Sequence, residues 1–415
     1  MNKGNLFIAF AALGATFAAQ AEKITIWSWD PHYNVAIMKD AAEIYQKTHP
    51  DVTFDIVDLA KADLEQKLQT MLASGVTKAL PDIVLVEDYN APKYLRAFPD
   101  AFAPLNGKVD FSHFAKYKVD LMTINGKTYG VPFDTGVTAW YYRRDLLEQA
   151  GYSEKDVQNI TWDKFIEIGK KVREKTGKQM ISIDPNDIGL IRIMMQSAGS
   201  WYFDKAGNLN IVGNAALKEA LETLAKLNAA GIVKPVFGWA EWAGSFNRGD
   251  VASLITGAWA TITIKAETKQ SGLWSVAPIP ALTVKGATHA SNLGGSSWYV
   301  MNSSTVKEQA ISFLNATYVD NIDFYQHILQ KNGAMGSNLL ARNGEAYQQP
   351  DPYFSNLPIW SIFNGWLKDI PSVNYGMYTY EADAAVNAQI PALNSGIPVD
   401  KVLKNIEQQV KTQIQ

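Results

Sequence analysis

Side chains able to do chemistry are present in this sequence, but not in the groupings that catalysis or metal binding needs. The five histidines, His32, His49, His113, His289 and His327, are scattered, with no His-Glu-x-x-His and no close pair, so no metal is expected. A Gly-x-Ser-x-Gly elbow and a Gly-rich phosphate loop are also missing, which removes the simplest hydrolase and nucleotide readings; no cofactor is implied. Carboxylates are plentiful, and two such as Glu87 and Asp134 could act as acid and base on a glycosidic bond, though nothing singles that pair out. What stands out is aromatic content: 12 Trp, 18 Tyr and 17 Phe, with many tryptophans at the ends of expected strands or in loops. An indole covers the flat C–H face of a sugar, while Asp, Glu, Asn and Arg exchange directional hydrogen bonds with its rim of hydroxyls. Such a mixture suits a neutral carbohydrate better than an ion or an apolar ligand.

These residues need a scaffold, and at 415 residues the chain exceeds what one hydrophobic core usually organises, so two domains are expected. Hydrophobic content of 47% and charged content of 19% are those of a soluble globular protein. The net charge is −3 and no basic tail or Lys/Arg cluster occurs, which disfavours nucleic acid as a partner. Lys3, the apolar run Leu6 to Ala18 and the Ala19-Gln20-Ala21 site read as a signal peptide over residues 1–21, leaving Glu22 as the mature N-terminus. With no cysteine anywhere, neither a disulfide nor a lipid-anchoring thiol is available.

Lys23–Ser28, Val52–Leu59 and Pro81–Val86 read as strands separated by helices over Asn34–Thr48 and Ala62–Ser74, the second closed by Gly75. That alternation predicts a parallel α/β sheet. In such sheets ligands sit beyond the carboxyl ends of the strands, which points to Trp27–Asp30 and to Glu87-Asp88. Asn125-Gly126 is a tight-turn signal, Thr128–Phe133 is extended through Pro132, and Asp134, Thr135 and Gly136 interrupt before a strand over Val137–Tyr142. Asp145 sits where an N-cap belongs and Gly151 where a helix ends. Beyond this hinge, Thr161 caps a helix, Met180–Ile183 reads as a strand, Asp187–Ala198 and Ala215–Ala229 as helices, and Phe237–Trp242 as a loop-rich segment. Ala277-Pro278-Ile279-Pro280 is an extended crossing, and Lys307–Ala316 and Asp400–Ile414 are helices.

The order of pieces resembles the extracellular solute-binding proteins of ABC importers, in the family that includes maltose-, lactose- and arabinose-type sugar-binding proteins. The resembling residues are Gly126, Lys127, Tyr129, Gly130 and Pro132, followed by Tyr142, Asp145, Leu146, Leu147, Ala150 and Gly151. Further matches are Thr161-Trp162 with Phe165, the string from Phe246 to Gly257 and Trp259, the double glycine Gly294-Gly295, and the ending after Gly396. Ser253 departs from the family, whose members usually carry Met there; the difference bears on packing.

The resemblance implies a two-lobed periplasmic-binding-protein fold of type II, α/β, with discontinuous lobes joined by a hinge. One lobe would hold 22–131 plus 276–318 and the other 134–274 plus 320–415, with crossings near Pro132, Ala277 and Thr317. It implies a periplasmic monomer that closes on a carbohydrate and delivers it to the permease subunits of an ABC transporter, not an enzyme. Alternatives are a secreted glycoside-active enzyme, or a receptor for a peptide, an opine or another non-sugar solute on the same fold. Carried over by position, the ligand residues are Trp29, Asp30, Glu87, Asp88, Asp134 and Thr135, then Trp201, Trp239, Trp242 and Trp259, with Gly294, Gly295 and Ser296 approaching through their backbone.

Overall fold

The computed structural model describes residues 22–414, so the expected signal peptide at 1–21 and its cleavage after Ala21 lie outside the described residues. In chain order the first elements are β1 (Glu22–Ser28), α1 (Asn34–Gln46), β2 (Val52–Asp58), α2 (Lys61–Ser74) and β3 (Ile83–Glu87). Helix α1 buries Ile37, Met38, Ala41 and Tyr45 as one stripe, and α2 buries Leu64 and Leu68 before Gly75 ends it at φ 69°. A short α3 (Lys116–Leu121) precedes a hairpin whose turn residues, Asn125 and Gly126, both take positive φ, 51° and 74°. Then come β4 (Gly130–Pro132), β5 (Thr138–Arg143) and α4 (Arg144–Gln149). Asp145 is not the N-cap of α4: it lies in the first turn, where Arg143 donates to it through Nε and Nη2 at 2.8 Å each.

The second half starts with α5 (Trp162–Thr176), capped by the Thr161 hydroxyl, which accepts from the Lys164 N–H at 3.3 Å. It continues through β6 (Ile181–Ile183), α6 (Gly189–Ser197), α7 (Ala215–Ala229), β7 (Val233–Pro235), α8 (Gly238–Asn247), β8 (Ser253–Gly257) and β9 (Trp274–Ala277). The chain then forms β10 (Ser296–Val300), α9 (Lys307–Leu314), α10 (Ile322–Asn332), α11 (Thr379–Asn394) and α12 (Val399–Gln413). Segment Phe237–Trp242, expected as loop, is mostly helical: Trp239, Trp242 and Phe246 recur on one face of α8, a period that the glycines at 238 and 244 obscure.

Strands of the first sheet lie in the order β2-β1-β3-β10-β4. Strand β1 runs parallel to β2 and β3, whereas β10 is antiparallel to β3 and β4, so the sheet is mixed rather than parallel. The alternating pattern near the N-terminus reports only its own crossovers; β10 arrives from far along the chain, and its direction is set by where it enters. Ile83, Val84, Leu85 and Val86 of β3 are all buried, covered on both faces as a central strand must be. The second half is built on an antiparallel sheet β8-β5-β9, with β6 and β7 paired in parallel beside it. Buried Ser253 in β8 donates to the Met180 carbonyl at 2.8 Å, so its hydroxyl is satisfied within the core.

Between β9 and β10 the chain stays beside the second sheet's helices: Ala281 bridges Thr161, and Glu219 of α7 accepts from the N–H groups of Thr283 and Val284 at 2.6 and 3.0 Å. Helix α10 instead lies against α1, where His327 and Lys331 reach Asp40 at 3.1 and 2.7 Å. No helix among the described residues is long and apolar enough to cross a membrane.

Candidate functional site

A cavity of about 480 Å³ opens where the two halves face each other, within the range of small-ligand sites. The first sheet contributes Glu87 and Tyr89 from the end of β3. The second half contributes Asp184 and Asp187 after β6, Arg192 from α6, and Trp239, Trp242 and Trp259, while Gly294 closes the hinge side.

The three tryptophans form one wall. Trp239 and Trp242 come from adjacent turns of α8 with ring centres 5.2 Å apart, and Trp259 stands 5.9 and 6.1 Å from them. Trp259 follows β8 in a single tight turn and is held by its indole N–H, which donates to the Leu293 carbonyl at 2.9 Å. Gly257 makes this possible, because a Cβ there would lie 2.2 Å from the Trp259 Nε1. Trp239 remains 58% exposed, which leaves an aromatic face free at the mouth of the cavity.

The rest of the lining is largely polar. Asp184 is oriented by backbone N–H groups, from Asn186 at 2.9 Å and from Gly238 at the start of α8 at 2.7 Å, and Asp187 accepts from Gly189 at 2.7 Å. Glu87 pairs with Lys61 at 2.7 Å and accepts the Tyr380 hydroxyl. Arg192 is bound to Asp383, whose carboxyl burial pushes upward while Arg192 pulls it back. Burial raises the Tyr89 hydroxyl to about 12, so it stays protonated, and it accepts from the Gly294 N–H at 3.2 Å. The arrangement offers carboxylate acceptors, a guanidinium donor and stacking faces around one volume.

Of the residues expected at the ligand, Glu87, Trp239, Trp242, Trp259 and Gly294 line this cavity. Trp29, Asp30, Asp88, Asp134, Thr135, Trp201, Gly295 and Ser296 do not. Trp29 stands beside Lys61, and Asp30, at φ 63°, uses its carboxylate to cap the N–H groups of His32 and Tyr33 ahead of α1. Trp201 is only 1% exposed and donates to the Thr379 hydroxyl at 3.0 Å.

The other five are drawn into a buried network at the hinge. Lys118 bonds both Asp88 oxygens, at 2.9 and 2.6 Å, and the Ser296 carbonyl at 2.9 Å, while Asp134 accepts from the Ser296 N–H and hydroxyl at 2.7 and 2.8 Å. Thr135 meets the Tyr117 hydroxyl at 2.5 Å, and a Cβ on Gly295 would lie 2.8 Å from Asp88. Burial pushes the Asp88 carboxyl up to about 6, against the pull of Lys118. Alternation along the chain turns the two neighbours opposite ways, and here Glu87 lines the cavity while Asp88 points into the hinge.

Sequence reasoning missed Tyr89, Asp184, Asp187 and Arg192. Asp184 was within reach, since the rule that drew attention to the ends of β1 and β3 applies equally to the end of β6. Arg192 carries no such signal, because it lies mid-helix.

A family model described as bacterial extracellular solute-binding protein matches residues 40–324. The chain is 58% identical over 405 residues to the lactose-binding protein of Rhizobium radiobacter, covering 98% of this chain and 96% of that protein. It is 27% identical over 303 residues to the arabinooligosaccharide-binding protein of Bacillus subtilis, covering 70% and 68%. Among solved structures, the sugar-binding protein MalE from Xanthomonas citri superposes with a TM-score of 0.79 at 18% identity, over 94% of this chain and 96% of that one; at such identity the likeness concerns the fold, which is the two-lobed periplasmic-binding-protein architecture. This chain therefore belongs to the bacterial extracellular solute-binding protein family.

Proposed function

We propose that this protein is the substrate-binding component of an ABC importer, holding a disaccharide-sized carbohydrate of the lactose class between its lobes and delivering it to the membrane permease. The observation that carries this is one cavity of about 480 Å³ lined both by the wall of Trp239, Trp242 and Trp259 and by Glu87, Asp184, Asp187 and Arg192. Stacking faces together with directional acceptors match a sugar's apolar faces and hydroxyl rim. The name of the lactose-binding relative, at 58% identity along almost the full length, supports the disaccharide class. The protein acts as a periplasmic monomer with no nucleic-acid partner.

The lobes are divided by three crossings. The first runs through Phe133–Gly136, the second through Leu293–Ser296 instead of Ala277–Pro280, and the third follows α10, near Gly336, instead of Thr317. What supports the shifted bounds is that Ala281–Val284 packs with α5 and α7, that α10 packs on α1, and that Gly336 bridges Asp134. Binding without turnover is the reading for the site's carboxylates: Glu87 lines the cavity, but Asp134, its imagined partner on a glycosidic bond, is engaged with Ser296.

Titration calorimetry with lactose and a panel of neutral disaccharides tests the proposal. One-site binding is expected, with no monosaccharide released on prolonged incubation. A thermal-shift screen gives a second readout, since ligand at about 100 times its Kd adds roughly 2.7 kcal/mol to the folded state. Absence of heat and of any shift across the panel would sink the carbohydrate reading.

A further inference from the structure

Tyr89 stands at the end of β3 in the first lobe, yet only 2% of it is exposed, because the second lobe closes around it. The Trp201 ring lies nearly parallel to it, 5.8 Å away at 13°, Tyr375 meets it edge-on at 4.7 Å, and the Arg192 guanidinium sits over its face at 4.3 Å. Arg192 is also 5.3 Å from the ring centre of Tyr380, and its ion-pair partner Asp383 shares helix α11 with Tyr380. The Tyr380 hydroxyl donates to Glu87, two residues before Tyr89 in the first lobe. The contacts therefore form a ring across the cleft, from Glu87 through Tyr380 and Arg192 to Tyr89 and back along the first lobe's chain.

Two links of that ring cross between the lobes, Tyr380 to Glu87 and Arg192 to Tyr89, and both are lost when the lobes separate. Opening withdraws Tyr89 from two aromatic partners and a cation, and breaks the bond to Glu87. These terms favour closure on their own account, whatever the sugar adds. A planar guanidinium is required at the centre, because it must lie against one ring, face a second and bond a carboxylate at once.

We propose that Glu87, Tyr89, Arg192 and Tyr380 form an interlobe latch, positioned by Arg192, that gives the ligand-free protein a substantial closed population and so sets part of the sugar affinity. A binding-competent state populated to a given fraction scales the apparent Kd by the inverse of that fraction. Weakening the latch therefore lowers affinity without touching the ligand. The affinity arm of this inference rests on the carbohydrate reading; the conformational arm does not.

Tyr380→Ala is the discriminating variant, because Tyr380 is 40% exposed on α11 and does not line the cavity, so folding and direct ligand contacts are preserved. Small-angle scattering on ligand-free protein should give a larger radius of gyration for Tyr380→Ala than for wild type. Stopped-flow tryptophan fluorescence should show lactose affinity reduced about tenfold, mostly through faster release. Tyr380→Phe, which keeps the ring over Arg192 and loses the bond to Glu87, should fall between the two. If the ligand-free radius of Tyr380→Ala equals that of wild type, the latch is wrong, and the sugar reading stands or falls on calorimetry alone. If the radius grows but neither protein binds lactose or the panel, the latch holds and the carbohydrate reading fails.

Discussion

Trp259 combines two properties that a stacking residue needs, a ring facing the cavity and a hydrogen bond to Leu293 that stops the ring from turning. Trp259→Ala should weaken lactose binding by about 2–4 kcal/mol, roughly 30- to 1000-fold, through lost apolar burial and ring-specific attraction. Trp29→Ala, by contrast, should stay within about threefold of wild type, because Trp29 does not line the cavity; calorimetry on both variants checks the pair. Asp88 makes the opposite case, a residue at a strand end whose task is structural. Asp88→Asn leaves Lys118, fully buried, without its carboxylate, and should destabilise the fold by about 3–5 kcal/mol in urea titrations while the sugar site keeps its contacts. Because burial raises the folded-state Asp88 carboxyl from 3.8 to about 6, ionising it between pH 4 and 6 costs the fold part of its stability, a cost separate from the pairing with Lys118 that the Asn variant removes. That decline should be present in wild type and missing from the Asn variant; equal pH profiles would remove Asp88 as its source.

At the scale of elements, the site depends on one tight exit from a strand. Gly257 ends β8 so close to the Trp259 indole that any side chain would push the ring out of place. Gly257→Ala should cost about 1–3 kcal/mol of stability through overpacking and should also reduce sugar affinity, since Trp259 loses either its position or its bond to Leu293. Unchanged affinity in a folded Gly257→Ala protein would mean that the ring tolerates displacement. Helix α8 is the complementary device. It presents Trp239 and Trp242 from adjacent turns, and Asp184 accepts from the N–H of its first residue, so the stacking wall and the polar side are tied together by one helix start.

For the whole molecule, hinge closure follows from a cavity whose walls come from both lobes. Saturating lactose should reduce the radius of gyration, modestly in wild type, where the latch already favours closure, and more in Tyr380→Ala. An unchanged radius at saturation in both proteins would count against hinge bending. The expected leader makes a separate prediction: intact-mass analysis of protein from the periplasmic fraction should show a chain starting at Glu22, and retention of Met1 would refute cleavage after Ala21.

Local chemistry along the sequence was enough to specify several features of this protein. Gly75 as a helix stop, Asn125-Gly126 as a turn and Thr161 as a cap each rest on interactions within a few residues, so they are legible without knowing the rest of the chain; Gly257 with Trp259 as a strand exit was implied by the resemblance. Tertiary structure decided which strand-end residues meet a ligand. Glu87 and Asp88 are neighbours of like chemistry, and only the arrival of β10 with Ser296, and of Lys118 from α3, assigns one to the cavity and the other to a buried pair. The second crossing is hard to place from sequence for the same reason, because an extended Pro-rich segment has the same local signature whether it changes lobes or runs alongside one. Arg192 had no signal at all, since its role comes from Tyr380, which the fold of its own lobe brings to it from far along the chain, and from Tyr89, which meets it only across the cleft.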